Sequence, residues 1–213
     1  KVVWHQEIAD TTMQIPSFGL DAAGELLITN HIGKEDGGFY TLEINDQPST
    51  QETFPKKLSE SGLFADVAKH QVQPGVIPYS VNSPLWSDGA HKTRFFAIPH
   101  EAGEDGAPPK ISAGGRRGWT FPEQTVLIKS FAVDMIEGDA NSRRWIETRF
   151  LHRENKEWVG YSYRWNNGQT DATLVDKAGL DINFSVQSTD GAMVERKWRY
   201  PSRAECMVCH SRA

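Results

Sequence analysis

The sequence predicts an all-β protein that ends in one short helix, and three observations carry that reading. From Lys92 onward, segments rich in β-branched and aromatic residues alternate in hydrophobicity and follow one another at short intervals. Dipeptides suited to tight turns, Asn167-Gly168 and Asp190-Gly191, fall between them. Nowhere does a strand pattern alternate with a long amphipathic helix, which argues against a parallel α/β sheet. The expected architecture is an antiparallel β-sandwich or jelly-roll-like domain over residues 48–213, preceded over 1–47 by a β-meander.

Taken in order, the first elements are two apolar runs at 25–30 and 38–44, separated by turn residues. The polar stretch NDQPSTQETFPKKLSESG reads as a linker entering one or two helical turns, with Leu58 and Leu63 on the apolar side and Gly62 as the stop. Pro74, Pro78 and Pro84 keep the next segment extended. The strands then follow as TRFFAI, WTF, TVLIKSFAV, RWIETRFLH, WVGYSYRW, DINFSV and VERKWRY. In WVGYSYRW one face takes Val159, Tyr161, Tyr163 and Trp165, and the other Trp158, Gly160, Ser162 and Arg164.

The last helix carries the chemistry. Pro201 closes the strand before it, and Ser202 with Glu205 has the spacing of a capping box. The chain has two cysteines, and both lie here: Cys206, Cys209 and His210 spell C-x-x-C-H at 206–210. On a helix these positions are i, i+3 and i+4, so they share one side. Two thiols so placed can form thioethers with one haem, and the adjacent imidazole then becomes the proximal iron ligand. A structural zinc site would need further ligands from distant histidines. A redox dithiol would belong after a strand of an α/β fold. The expectation is one covalent haem c, held by Cys206, Cys209 and His210. Attachment of haem c outside the bacterial cytoplasm implies a periplasmic or extracellular protein.

Four stretches extend the motif: VIPYSVNSPLWSDGAHKTRFFAIP, GWTFPEQTVLIKSF, ETRFLHRENKEWVGYSYRWNNGQTDATLV and WRYPSRAECMVCHS. Together, over roughly residues 52–213, they resemble a bacterial c-type cytochrome domain found behind glucose/sorbosone-dehydrogenase-type (quinoprotein) β-propellers in secreted oxidoreductases. The segment SFGLDAAGELLITN…GGFYTLEI is similar to one blade of such a propeller. The resemblance implies electron transfer from a fused dehydrogenase domain or another redox partner protein. It also implies a longer chain, and the non-Met start at Lys1 reads as that of a processed or excised piece.

Further candidates surround the motif. Arg94, in the polar run with Asp88 and Lys92, is placed to pair with a haem propionate. Trp198, with Tyr200, is expected to wall the haem crevice. His91 or Met193 are the candidates for a distal iron ligand, with Met13 and Met135 behind them. A carbohydrate platform of Trp119, Trp145, Trp158, Trp165 and Trp198 competes with a core role for the same residues. Catalysis at an open iron, or at a copper held by strand histidines, is the third reading. Asp171 and Asp176 are weak calcium candidates, and Gly114–Gly118 reads as a solvated basic loop. The net charge of −5 argues against nucleic-acid binding, and no apolar run reaches the roughly 20 residues of a membrane span.

Overall fold

The structure, a computed structural model, describes residues 11, 13–31, 37–44, 54–100, 108–114 and 118–210. The expected linker residues 45–53 and the arginine pair of the basic loop lie outside that set. The chain forms two compact units, Lys1–Phe54 and Pro55–Ala213.

The first unit is a three-stranded antiparallel meander of β1 (Phe18–Leu20), β2 (Leu26–Asn30) and β3 (Gly38–Tyr40). Asp21 organises its first turn: Oδ1 accepts from the Ala23 and Glu25 amides at 2.8 Å each, an Asx turn. Gly24 supplies the positive φ of 86° that the turn needs.

The second unit opens with a 3₁₀ turn, Leu58–Ser61, closed by Gly62 at φ 70°, the stop expected from the sequence. The strands β4 (Phe64–Asp66) and β5 (Gln71–Val72) form a small hairpin. There follow β6 (Ile77–Pro78), β7 (His91–Ala97), β8 (Ser112–Gly114), β9 (Gly118–Thr120) and β10 (Val126–Asp134). Next come β11 (Arg143–Glu154), β12 (Glu157–Trp165), β13 (Ala172–Leu174), β14 (Leu180–Gln187) and β15 (Met193–Tyr200). Helix α1 spans Arg203–His210. One six-stranded sheet has the order β13-β12-β11-β10-β7-β6, and β14 pairs with β15. All strand pairs are antiparallel, so the unit is all-β with one terminal helix. Among the described residues, no helix is long and apolar enough to cross a membrane.

Turn chemistry departs from the sequence reading in two places. The long β11–β12 hairpin turns on Asn155 and Lys156, at φ 53° and 66°, with Glu154 opposite Glu157. That is a two-residue turn of the primed class, made without glycine. After β12, the positive φ belongs to Gln169 rather than Asn167 or Gly168. The Gln169 side chain ties that loop to Trp145, donating to its carbonyl at 3.0 Å and accepting from its amide at 2.7 Å.

Strand alternation divides the sheet into two faces. One carries Ile128, Phe150, Tyr161, Tyr163 and Trp165, buried together with Leu58 and Phe64. Tyr163 Oη donates to the Pro55 carbonyl at 2.9 Å, and His70 stacks on Trp145 with ring centroids 3.8 Å apart. The other face carries Phe131 and Val133, which share a core with Val186, Trp198 and Tyr200 of the β14–β15 hairpin. A register shift between Phe131 and Ala132 pairs these residues with Glu147 and Trp145, leaving Ile146 as the extra residue. This bulge lets Trp145 join the His70 face while Glu147, two positions on, points to the opposite one.

Candidate functional site

Helix α1 starts as its sequence dictates. Ser202 Oγ accepts from the Glu205 amide at 3.0 Å, and the Glu205 carboxylate accepts from the Ser202 amide at 2.7 Å, a closed capping box. Glu205 also accepts from Arg199 at 2.8 Å, and these contacts, Arg199 first, hold its carboxyl below the usual range. The strand-to-helix corner depends on Gly179: a Cβ there would lie 2.6 Å from the Tyr200 carbonyl and 2.7 Å from the Ser202 amide.

The helix lies against β12 at Gly160. A Cβ on Gly160 would stand 2.5 Å from Cys206 Cβ and 2.7 Å from its Sγ, so the glycine is the notch that receives Cys206. Arg203 reaches Gly160 as well, with Nη1 3.3 Å from its carbonyl and the guanidinium 4.1 Å over the Tyr161 ring. Cys206 is buried while Cys209 is exposed, and neither is in a disulfide. Burial pushes the Cys206 thiol up from its ordinary pKa. Cys209 and His210 are the more exposed members of the motif, at the helix end.

The sheet face beneath is charged. Arg94 of β7, Lys129 of β10 and Arg149 of β11 are directly opposite one another across three strands. Lys92, two positions before Arg94, lies on the same side and opposite Phe131. Arg149 donates to Glu147 from Nε at 2.6 Å and from Nη2 at 2.9 Å. Glu147 is fully buried and also accepts from Ser162 Oγ at 2.8 Å and from the Trp198 indole at 3.0 Å. Lys129 falls to a pKa of about 8, first through burial and then through Arg94, Arg149 and Lys92. His210 is held below its ordinary pKa by partial burial, with Lys129 and Arg149 adding to the effect. The helix docks on this same face at Gly160, and Lys129 and Arg149 of the row act on His210.

Of the residues singled out in the sequence, Cys206, Cys209 and His210 share the helix, and Arg94 is at the far end of the cation row on the sheet face where the helix docks. Trp198 packs on the same sheet face from the β14–β15 hairpin. It is 4% exposed, edge-on to Phe131 at 5.6 Å, and it supports Glu147 rather than standing open to solvent. His91 belongs elsewhere. It alternates to the opposite side of β7 from Arg94, and its Nε2 is occupied 3.0 Å from Asp134 Oδ2 and 2.9 Å from Arg143 Nη2. Met193 is exposed at the start of β15, a strand length of about 23 Å from Tyr200 and the helix. Lys129, Arg149, Glu147 and Gly160 were not singled out; their roles come from strand register, which single-strand patterns do not reveal.

The competing readings meet the same test. Trp165 and Trp198 are buried, and Trp145 is stacked on His70. Trp158 packs edge-on to Phe121. Only Trp119 of the five stands exposed, at 68%, so these five do not make an exposed platform together. Asp171 binds Ser59 through its hydroxyl at 2.7 Å and its amide at 3.1 Å, and Asp176 accepts from the Ala178 amide; both carboxylates shape turns. Among the described residues no three His, Cys, Asp or Glu side chains converge as a metal-ion site. Convergence of that kind is needed by zinc but not by a thioether-bound porphyrin, whose iron takes one imidazole from this motif. Two surface depressions, one bounded by Met135, Arg143 and Gln169 and the other by Arg164, Asp176 and Gly179, contain none of the motif residues. No family model, curated protein or solved structure matches the chain.

Proposed function

We propose that the chain is an electron-transfer module carrying one covalent haem c, with thioethers at Cys206 and Cys209 and His210 as the proximal iron ligand. The observation that carries this reading is the placement of the only two cysteines. They sit with the histidine on one capped helix that faces a cationic sheet surface. The donor set suits the group: two thiols, one imidazole, and cations facing a molecule that bears carboxylates. Cys209 and His210 are open to it, whereas bonding at Cys206 requires the helix to ease away from Gly160.

Bound there, haem supplies a one-electron couple. The chain's own residues set its energetics. Cations on the sheet disfavour the oxidised state, which carries one more positive charge, and so favour electron uptake. Phe131 and Trp198 keep the floor dry, and Glu147 fixes Arg149 in position. We read the six-stranded sheet and the β14–β15 hairpin as the two layers of a sandwich that presents this helix. We read the three-stranded unit as a terminal propeller blade, a reading supported by its exposed Phe18, Leu20 and Phe39, which neighbouring blades would cover. On the family resemblance, the electron donor is a quinoprotein-type sugar dehydrogenase module, and the module works in the periplasm or outside the cell.

The test is an intact mass together with a visible spectrum, after expression with a haem c maturation system. Mass above the 23.9 kDa polypeptide by one haem, with a band that responds to reductant, is the expected result. Colourless protein of unmodified mass overturns the proposal.

A further inference from the structure

Three cations in direct cross-strand register are an arrangement that a sheet does not adopt without a reason. Side chains directly opposite each other have Cβ atoms about 4.5–5.5 Å apart, and like charges so placed are destabilising. Arg94, Lys129 and Arg149 occupy such a row, with Lys92 beside it. One carboxylate, Glu147, bonds to this group, and it is committed to Arg149. Lys92 donates to the Leu85 carbonyl at 2.7 Å. Among the described residues, neither Arg94 nor Lys129 has an acidic partner. Lys129 lies instead 5.0 Å over the Phe131 ring, and Arg149 lies over the same ring at 4.8 Å. Aromatic faces hold cations only weakly. Among the described residues the row thus has no second anion to balance it, and its Lys129 and Arg149 act on His210 at the helix end.

We infer that Arg94 and Lys129, flanked by Arg149, form the cradle for the two carboxylate arms of the porphyrin carried by α1. This rests on the haem reading and extends it to a residue class: the propionates are held by sheet cations, not by the helix. Glu147 is a positioning residue, fixing Arg149 through Nε and Nη2 while Ser162 and Trp198 fix Glu147 in turn.

The experiment compares wild type with Lys129→Gln, Arg94→Gln and Lys129→Arg, each with haem attached and without. Intact mass reports attachment; a wild-type chain without haem overturns both this inference and the reading beneath it. In loaded protein, Lys129→Gln and Arg94→Gln should each lower the midpoint potential, shifting the redox equilibrium about tenfold, or 59 mV for one electron. Lys129→Arg should restore it. In haem-free protein the same Gln substitutions should raise the melting temperature by about 2 °C, because they relieve like-charge repulsion. Inorganic phosphate, compared with chloride at equal ionic strength, should stabilise the haem-free wild type and leave the loaded protein unchanged. Attached haem with an unmoved potential in both Gln variants overturns the cradle while the haem reading stands. Equal stabilisation of loaded and haem-free protein by phosphate shows the cations to be open to free anions, and overturns it as well.

Discussion

The two faces of the six-stranded sheet handle buried polarity in opposite ways. On the face packed against residues 55–72, the fully buried polar groups are neutral and form a chain. His70 Nε2 lies 2.8 Å from Ser130 Oγ, which lies 2.8 Å from Thr148 Oγ1, which accepts from the Trp165 indole at 3.0 Å. The rings of Phe64, Phe95, Trp145 and Trp165 surround His70 at the head of this chain. On the face beneath α1, the buried centre is an ion, Glu147, and its surroundings are guanidinium and ammonium groups. A neutral network is inexpensive to bury once satisfied. A charged one remains sensitive to every partner. The difference separates a face held by packing and neutral hydrogen bonds from one whose buried centre is an ion.

The strongest way to break the contrast is to remove the ion. Glu147→Ala leaves Arg149, Ser162 and the Trp198 indole without their acceptor, and should cost about 3–5 kcal/mol. Glu147→Gln keeps the shape and should cost less. Urea unfolding of the haem-free proteins, compared at one pH, checks the order. A loss below 1 kcal/mol for the alanine variant would mean that the charged face is no more demanding than the neutral one.

The neutral face has its own lever in pH. Burial brings His70 down to a pKa of about 4 from an ordinary 6.5. In that interval the unfolded chain holds the proton that the folded chain refuses. Stability from this group is complete above about pH 6.5 and is lost as pH falls towards 4, by up to about 3 kcal/mol. His152 and His210 are shifted in the same direction, so the informative quantity is the difference between wild type and His70→Phe. That difference should vary with pH between 7 and 4. A difference that stays constant across the range would show that His70 is not held neutral.

How much of this was legible follows the same division. The strands were readable because β-branched and aromatic residues alternate along each of them, and the 3₁₀ turn because Gly62 closes it. The motif helix was readable because its start, cap and cysteines are contiguous. Arg94 was visible as a lone arginine. Its partners Lys129 and Arg149 were not, since they become neighbours only through the β7–β10–β11 register, 35 and 55 positions away in the chain. The bulge at Ile146 was hidden for a related reason: RWIETRFLH alternates acceptably without it, and only the facing strand forces the extra residue. The two faces of WVGYSYRW are those read from its alternation, and both are buried at their centre, Gly160 and Ser162 as well as Tyr161 and Tyr163; the helix that covers Gly160 could not be read from the strand alone.

Gly160 sharpens the comparison because it changes volume without changing charge. Gly160→Ala drives a methyl into Cys206, where both Cβ and Sγ are closer than contact permits, and the helix must move. The expected cost is about 1–3 kcal/mol in the haem-free protein. The displaced Cys206 should also become more accessible. Alkylation followed by mass mapping should show Cys209 modified well before Cys206 in wild type, and the gap narrowing in the variant. Equal rates at both thiols in wild type would contradict the seating of Cys206 in the notch.

The smallest effect separates the helix's own stability from its docking on the sheet. Ser202→Ala removes the acceptor of the Glu205 amide but leaves Glu205 bound to the Ser202 amide and to Arg199. Loss of one half of a capping box costs about 1 kcal/mol. If the helix is held chiefly by the Gly160 notch and by Arg203 over Tyr161, that cost should appear in urea unfolding without altering the alkylation order of the two cysteines. If the cap is what holds the helix down, the two readouts will move together, with Cys206 opening at the same time as stability falls. The charged face would then depend on a local helix signal, whereas the neutral face depends only on packing.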